Sequence, residues 1–266
     1  MFRPSRQMFA VSVLLASSSA IASSPYWNNT WTFDLKAYRP SANTDIRIDS
    51  DRLGRGTSLD FEQDLNLEES KTLPELDVTY RFNDRHRIEV SYFSLDRNGN
   101  TTLDGDIQIG DTNFTASSVI SSDFNTDIWR MSYGYTPWNG PDYQFGFTVG
   151  LHVIRIEVDA KGTLGAVKET VDGDIPMPVV GASGAWEFSR DWTLEGGIQY
   201  FAIDLDNVDG SMTNATVGLG WQAWDNGGFT LGYMYYDIDA DGEKNSLNGS
   251  FNFSYDGPYL GARFNF

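Results

Sequence analysis

The sequence predicts an all-β fold, a transmembrane antiparallel up-and-down β-barrel of about 10 strands, with 8 and 12 as alternatives. Three observations predict it. Apolar and polar residues alternate with period two through most of the 266-residue chain. Short and long connections alternate between the alternating segments. Past residue 22 no run approaches the roughly 20 apolar residues that a helical span requires. Composition narrows the function classes. With 19 Lys+Arg against 37 Asp+Glu the formal charge is -18, which repels phosphate backbones and argues against nucleic acid as a partner. Without cysteine there is no disulfide framework, Cys-ligated zinc or thiol nucleophile. A mean hydropathy of -0.37 sits oddly beside 17 Phe, 13 Tyr and 8 Trp.

Residues 1–22 read as a signal peptide, with Arg3 and Arg6 as the basic start, Met8 to Ala16 as the apolar stretch and Ala20-Ile21-Ala22 as the small-x-small cleavage site. Removing two Arg and no acid takes the charge of residues 23–266 from -18 to -20. Residues 23–266 are expected to form one barrel domain.

The strands follow in order, because successive side chains of a strand leave opposite faces. In the first, Trp31, Phe33, Leu35 and Ala37 oppose Thr32, Asp34 and Lys36. In the second, Leu76, Val78, Tyr80 and Phe82 oppose Glu75, Asp77, Thr79 and Arg81. After the turn Asn83-Asp84-Arg85, Ile88, Val90 and Tyr92 oppose Arg87, Glu89 and Ser91. Trp129, Met131, Tyr133 and Tyr135 mark the fourth, and Tyr143, Phe145, Phe147, Val149, Leu151 and Val153 the fifth. The sixth carries Val180, Ala182, Trp186 and Phe188, the seventh Trp192, Leu194, Ile198 and Tyr200, and the eighth Ala215, Val217, Leu219 and Trp221. Phe229, Leu231, Tyr233 and Tyr235 mark the ninth, and the last ends in Leu260, Ala262, Phe264 and Phe266. Long connections are expected near 39–71, 98–126, 157–174, 204–210 and 237–245. In the last strand Phe251, Phe253 and Tyr255 have the opposite parity to Leu260 and Phe264, so a bulge is expected at Asp256-Gly257-Pro258, where Pro donates no ladder bond and Gly permits a bend. The alternative puts residues 246–255 above the membrane as a hairpin extension.

Short turns on one side and long loops on the other match a barrel with periplasmic turns and extracellular loops. A secreted sandwich or lipocalin-like barrel is the soluble competitor. The tryptophans decide against it. Trp27, Trp31, Trp138, Trp186, Trp192, Trp221 and Trp224 fall at or near the periplasmic strand ends, which an interfacial girdle explains and a closed core does not.

The C-terminal run Tyr259-Leu260-Gly261-Ala262-Arg263-Phe264-Asn265-Phe266 resembles the terminal strand by which outer-membrane barrels are recognised for assembly, with Tyr259, Leu260, Phe264 and Phe266 as the signal. With the patterns of Pro74 to Phe82 and His86 to Arg97, the chain from residue 23 resembles the small outer-membrane β-barrel proteins of Gram-negative bacteria. That resemblance implies export, integral location in the cell outer membrane, contact with its lipid and lipopolysaccharide, and the barrel-assembly machinery as a partner.

Inward positions by parity hold Asp34, Lys36, Asp77, Arg81, Arg87, Glu89, Arg130, Glu195 and Arg263, four acids and five bases; the far wall is mostly glycine, including Gly146, Gly150, Gly197, Gly218, Gly220 and Gly232. Near balance predicts a salt-bridged network, because unpaired charges in a narrow space are costly. About eight strands enclose a filled interior and about sixteen an open channel, so ten strands predict an occluded lumen. Catalysis would need His152, the inward histidine, beside a nucleophile or acid acting with it, and Ser183 should lie at a different depth. The five long connections hold 24 acids and 8 bases, which puts the negative charge outside the cell. Within them Asp237, Asp239, Asp241 and Glu243 follow the D-x-D-x-D-G opening of a calcium loop, although Asn248 stands where its final Glu belongs. The alternative there is an ordinary Asp/Gly hairpin turn. The expected role is non-enzymatic, surface-binding or envelope-structural. A narrow porin-like channel for small solutes is the alternative, and a hydrolase using His152 the third.

Overall fold

The computed structural model describes residues 25–50, 55–102, 107–109, 112–114, 116–162, 168–205, 208–244 and 247–266. The signal peptide lies outside the described residues. The strands are β1 (Trp31–Tyr38), β2 (Ser41–Ser50), β3 (Arg55–Asp60), β4 (Leu73–Asn83), β5 (His86–Thr102), β6 (Ile107–Ile109), β7 (Thr112–Phe114), β8 (Val119–Asn139), β9 (Tyr143–Gly162), β10 (Lys168–Ser189), β11 (Trp192–Leu205), β12 (Val208–Trp224), β13 (Gly227–Lys244) and β14 (Leu247–Asn265). Sheet order runs β1-β4-β5-β8-β9-β10-β11-β12-β13-β14, and β14 pairs back onto β1. This closes a ten-stranded antiparallel barrel, as the alternation predicts. No helix among the described residues is long and apolar enough to cross a membrane.

Near the periplasmic turns the ladder shifts register between Arg81 and Asn83, Tyr135 and Trp138, Glu187 and Ser189, and Trp221 and Trp224. Barrel rims tolerate such bulges because pairing ends there. In the first turn the Asn83 side chain accepts from the backbone N–H of Arg85 at 2.9 Å and His86 at 3.1 Å, the Asx geometry that makes Asn a turn residue.

The structure corrects the long loops. Strands β8, β9 and β10 have 21, 20 and 22 residues, about twice the 9–11 that cross a bilayer. Much of the sequence expected as extracellular loop is this strand extension, including 98–102, 119–126, 157–162, 168–174 and 237–244. Above the lipid the outward face meets water and turns polar, while the inward face turns apolar. The lipid-facing pattern ends there, although the ladder continues.

Strand β14 shows the same change. Its register with β13 runs unbroken from Gly227 opposite Phe264 to Lys244 opposite Leu247. There is therefore no bulge at Asp256-Gly257-Pro258. Phe253, Tyr255 and Tyr259 are buried inside the barrel, whereas Leu260 and Phe266 are exposed on its outer face. Parity is constant, and only the medium outside changes. Pro258 still serves the ladder through its carbonyl, which accepts from Arg39 at 3.0 Å, and Gly257 lies against the Arg39 carbonyl too closely for a Cβ. The break in assignment falls in the neighbour at Arg39-Pro40. Tyr38 pairs with Tyr259 and Ser41 with Asp256, so β1 and β2 act as one bent rail along β14.

The core is an apolar plug in the half of the lumen away from the short turns. Phe93, Leu95, Phe124, Ile128, Ile154, Met212, Met234, Ile238, Phe253 and Tyr255 project into it from the wall. The segment after β3 fills its top. A single-turn helix α1 (Phe61–Asp64) is capped by Asp60, whose side chain accepts from Gln63 N–H at 2.8 Å. It sets Phe61 edge-on to Phe124 at 5.4 Å, and Leu65, Leu67 and Leu73 follow it into the plug. Gly99 lets this segment approach, because a Cβ there would collide with the backbone of Leu65 and Asn66. Arg97 clasps the insert: it pairs with Glu62, donates to Thr44 Oγ1 at 2.6 Å, and stacks 4.9 Å from the Phe124 ring centre.

Candidate functional site: the lumen

Below the plug the inward face is polar, and its ion pairs follow from the register. Lys36 on β1 stands opposite Glu75 on β4, and Asp34 opposite Asp77. This brings Lys36 to Asp77 and, at 3.5 Å, to Glu75. Arg130 reaches from β8 to Glu75 and, at 3.6 Å, to Asp77. Arg263 on β14 donates to Asp34 at 2.8 Å and grips Glu195 on β11 with both terminal nitrogens at 2.8 and 2.7 Å. Arg87 pairs with Glu89 at 2.7 Å, then crosses to Thr136 and to Ser183, each at 2.6 Å.

The nine charged residues expected in the lumen all line one polar cavity. Sequence reasoning missed a tenth, Glu75, which is fully buried. The signal that finds it is parity, since it lies two residues before Asp77 on the same face. It brings the balance to five carboxylates and five cations. Glycines make room for the large side chains. Gly134, the cross-strand neighbour of Arg87, leaves space for its guanidinium, since a Cβ there would come within 2.8 Å of Arg87 Cζ, and the Tyr259 hydroxyl occupies the space over Gly218 and Gly232.

Arg130 joins the two halves, for its guanidinium also meets Met234 Sδ at 3.4 Å and lies 5.7 Å from the Phe93 ring centre. At the same level His152 is fully buried. Its Nδ1 lies 3.0 Å from Tyr236 Oη and its Nε2 2.9 Å from Gln199 Oε1, and Gln199 in turn donates to Ser132 Oγ at 2.8 Å. Both ring nitrogens are thus engaged by wall residues, and Ser183 is held by Arg87 instead.

The periplasmic end is closed by a part of the chain that the sequence reading assigned to the lipid interface. Residues Tyr26–Asn28 form a 3-10 turn, and Trp27 is buried. The Tyr26 ring lies 4.1 Å from the Arg263 guanidinium and 5.4 Å from that of Arg81. Trp27 therefore departs from the girdle reading; it is folded in because its neighbour stacks on lumen cations. Trp31, Trp138, Trp186, Trp192, Trp221 and Trp224 do stand exposed on the outer face, with Trp192 and Trp221 stacked across strands at 6.0 Å. Trp129 and Tyr92, 4.4 Å apart, sit farther towards the extracellular side.

Two further expectations are corrected. Tyr259 belongs to the lumen rather than to an outward terminal signal, with Lys36 4.7 Å from its ring centre; it cannot share a face with Leu260, its immediate neighbour. Asp237, Asp239, Asp241 and Glu243 are consecutive odd positions of β13, paired across to Thr213, Ser211, Asp209 and, for Glu243, Asn248 of β14. A strand sets such residues about 7 Å apart on one face, so the Asp237, Asp239 and Asp241 carboxylates do not converge as in a calcium loop. Among the described residues no group of acids or histidines is placed to hold a metal ion. Asp237, above the aromatic Tyr233 and Tyr235, has its pKa pushed up by partial burial and by neighbouring Asp239.

No protein-family model and no curated protein matches the chain. Solved structures do. The outer membrane protease OmpT from Escherichia coli superposes with a TM-score of 0.63 at 14% identity, over 90% of this chain and 97% of that one. The translocator domain of the autotransporter NalP from Neisseria meningitidis gives 0.46 at 10% identity, over 89% of each chain. The toluene transporter TodX of Pseudomonas putida gives 0.35 at 10%, over 89% and 90%. At these identities the likeness is one of fold, a closed antiparallel barrel.

Proposed function

We propose that this integral outer-membrane barrel is a non-conducting, non-enzymatic protein, in which a sealed lumen acts as a structural core and the extended extracellular end presents a surface to the outer leaflet and to external ligands. The observation that carries this is the apolar plug. Aromatic and aliphatic side chains from strands around the barrel, with Phe61, Leu65 and Leu67 inserted from above, meet in the middle with almost no exposed area. Close-packed interiors of this kind admit few voids larger than a water molecule. The ion-pair layer beneath adds a second barrier to solutes.

The outer surface supports the assignment. Asp204, Asp209 and Asp241 are exposed and directly cross-strand neighbours on β11, β12 and β13. Like charges placed so repel, which gives this face of the extension a concentrated negative charge. Outward-facing Leu260 and Phe266 suit delivery to the barrel-assembly machinery. The engagement of both His152 nitrogens by Tyr236 and Gln199 leaves that ring without a nucleophile to activate.

Planar-bilayer recording of the refolded chain tests the proposal. Silence is expected across about ±100 mV. Stable current steps whose size changes on Arg130→Gln would overturn it, as would ester or peptide turnover lost on His152→Ala.

A further inference from the structure

Between the plug and the Tyr26 stopper the lumen keeps a cavity of about 220 Å³, room for several waters at about 30 Å³ each. With Glu75 the carboxylates and cations of the lumen number five each, but they are unevenly shared, because Arg263 holds two carboxylates, Asp34 and Glu195. One cation is left without an ion pair. Arg87, Arg130, Arg263 and Lys36 each pair with a carboxylate. Arg81 pairs with none among the described residues. Its Nη1 donates to Thr32 Oγ1 at 2.8 Å, its guanidinium faces the Tyr26 ring, and its Nε is buried without a partner. The residue is 9% exposed. A buried cation without an ion-pair partner in contact is costly, and Ser91, Thr79 and Thr216 line the same cavity and offer hydroxyls to a polar guest.

We propose that this cavity is a binding site for one small monoanion, a carboxylate of three or four heavy atoms such as acetate, with Arg81 as its anchor. Access is from the periplasm past Tyr26, whose ring separates the cavity from a smaller hollow of about 20 Å³ at the rim, lined also by Asn265 and Trp221. The plug seals the other end, so the guest enters and leaves on one side. The site goes beyond the surface role proposed above, and the two fail separately: bilayer current tests the plug, and equilibrium binding tests the cavity.

The experiment is calorimetric titration of the full refolded barrel in detergent with sodium acetate, in chloride-free buffer, with sodium sulfate at matched ionic strength in parallel. The expected result is saturable binding of one acetate per chain and at least tenfold weaker sulfate. Arg81→Gln should weaken acetate at least tenfold while circular dichroism shows an intact barrel, and Arg155→Gln, on the extracellular extension, should leave it unchanged. Should Arg81→Gln not fold, Tyr26→Ala provides the second arm, with faster acetate association expected from an unstoppered mouth. The proposal is overturned by no saturable acetate binding to the unmodified chain, by equal sulfate affinity, by full affinity in a folded Arg81→Gln, or by unchanged association in Tyr26→Ala.

Discussion

Glu75 illustrates how much one buried carboxylate governs in the lumen. Its Oε1 takes both Arg130 and Lys36, and it offsets a cation that also touches the apolar plug. Removing one partner of a buried pair leaves an uncompensated charge, at a cost of about 3–5 kcal/mol. Glu75→Gln should therefore lower unfolding free energy by about that amount, measured by urea titration in lipid vesicles. Adding Arg130→Met should restore more than half of it, since Lys36 and Asp77 then remain a matched pair. If the double variant is no better than the single one, the ion-pair account of this layer is wrong. Parity sufficed to place each charged side chain inward. Which polar group meets which cation needed the register of ten strands, because Arg263 and Glu195, or Arg87 and Ser183, are distant in sequence and sit three strands apart around the barrel.

At the scale of one element, β14 crosses two media without changing its geometry. Its even residues face lipid near the C-terminus, and its odd residues face the plug at the other end. Two substitutions separate these environments. Leu260→Arg puts a charge on the lipid face and should cost about 2–4 kcal/mol if near the midplane, whereas Phe253→Ala should cost about 3–5 kcal/mol through the cavity it leaves. Lipid should distinguish them too. Thickening the bilayer should change the Leu260→Arg penalty and leave that of Phe253→Ala unaltered, a comparison made by unfolding in vesicles of two chain lengths. A Phe253→Ala effect below about 1 kcal/mol would return that residue to an exposed hairpin. The sequence contained the information for this strand, but a switch in which parity is apolar looks the same whether the strand bulges or its surroundings change.

For the whole molecule, the aromatic excess divides between three places: a lipid-facing band, an internal plug and a periplasmic stopper. Quenching of tryptophan fluorescence by brominated lipid measures the first share. The exposed outer-face tryptophans, Trp129 among them, should be quenched, and Trp27→Phe should remove emission that bromine does not reach. Quenching of Trp27 by lipid would contradict the folded-in N-terminal segment. By itself the sequence determined the barrel, its ten strands and the identity of most inward charges, because a pleated strand forces alternate side chains to opposite faces and lipid demands an apolar one. The height of the barrel above the membrane, the apolar filling of its upper half, the insertion of residues 61–67 and the lack of an ion pair at Arg81 were decided by tertiary structure. These depend on which side chains share the space inside a closed wall, and closure joins residues that no local pattern relates.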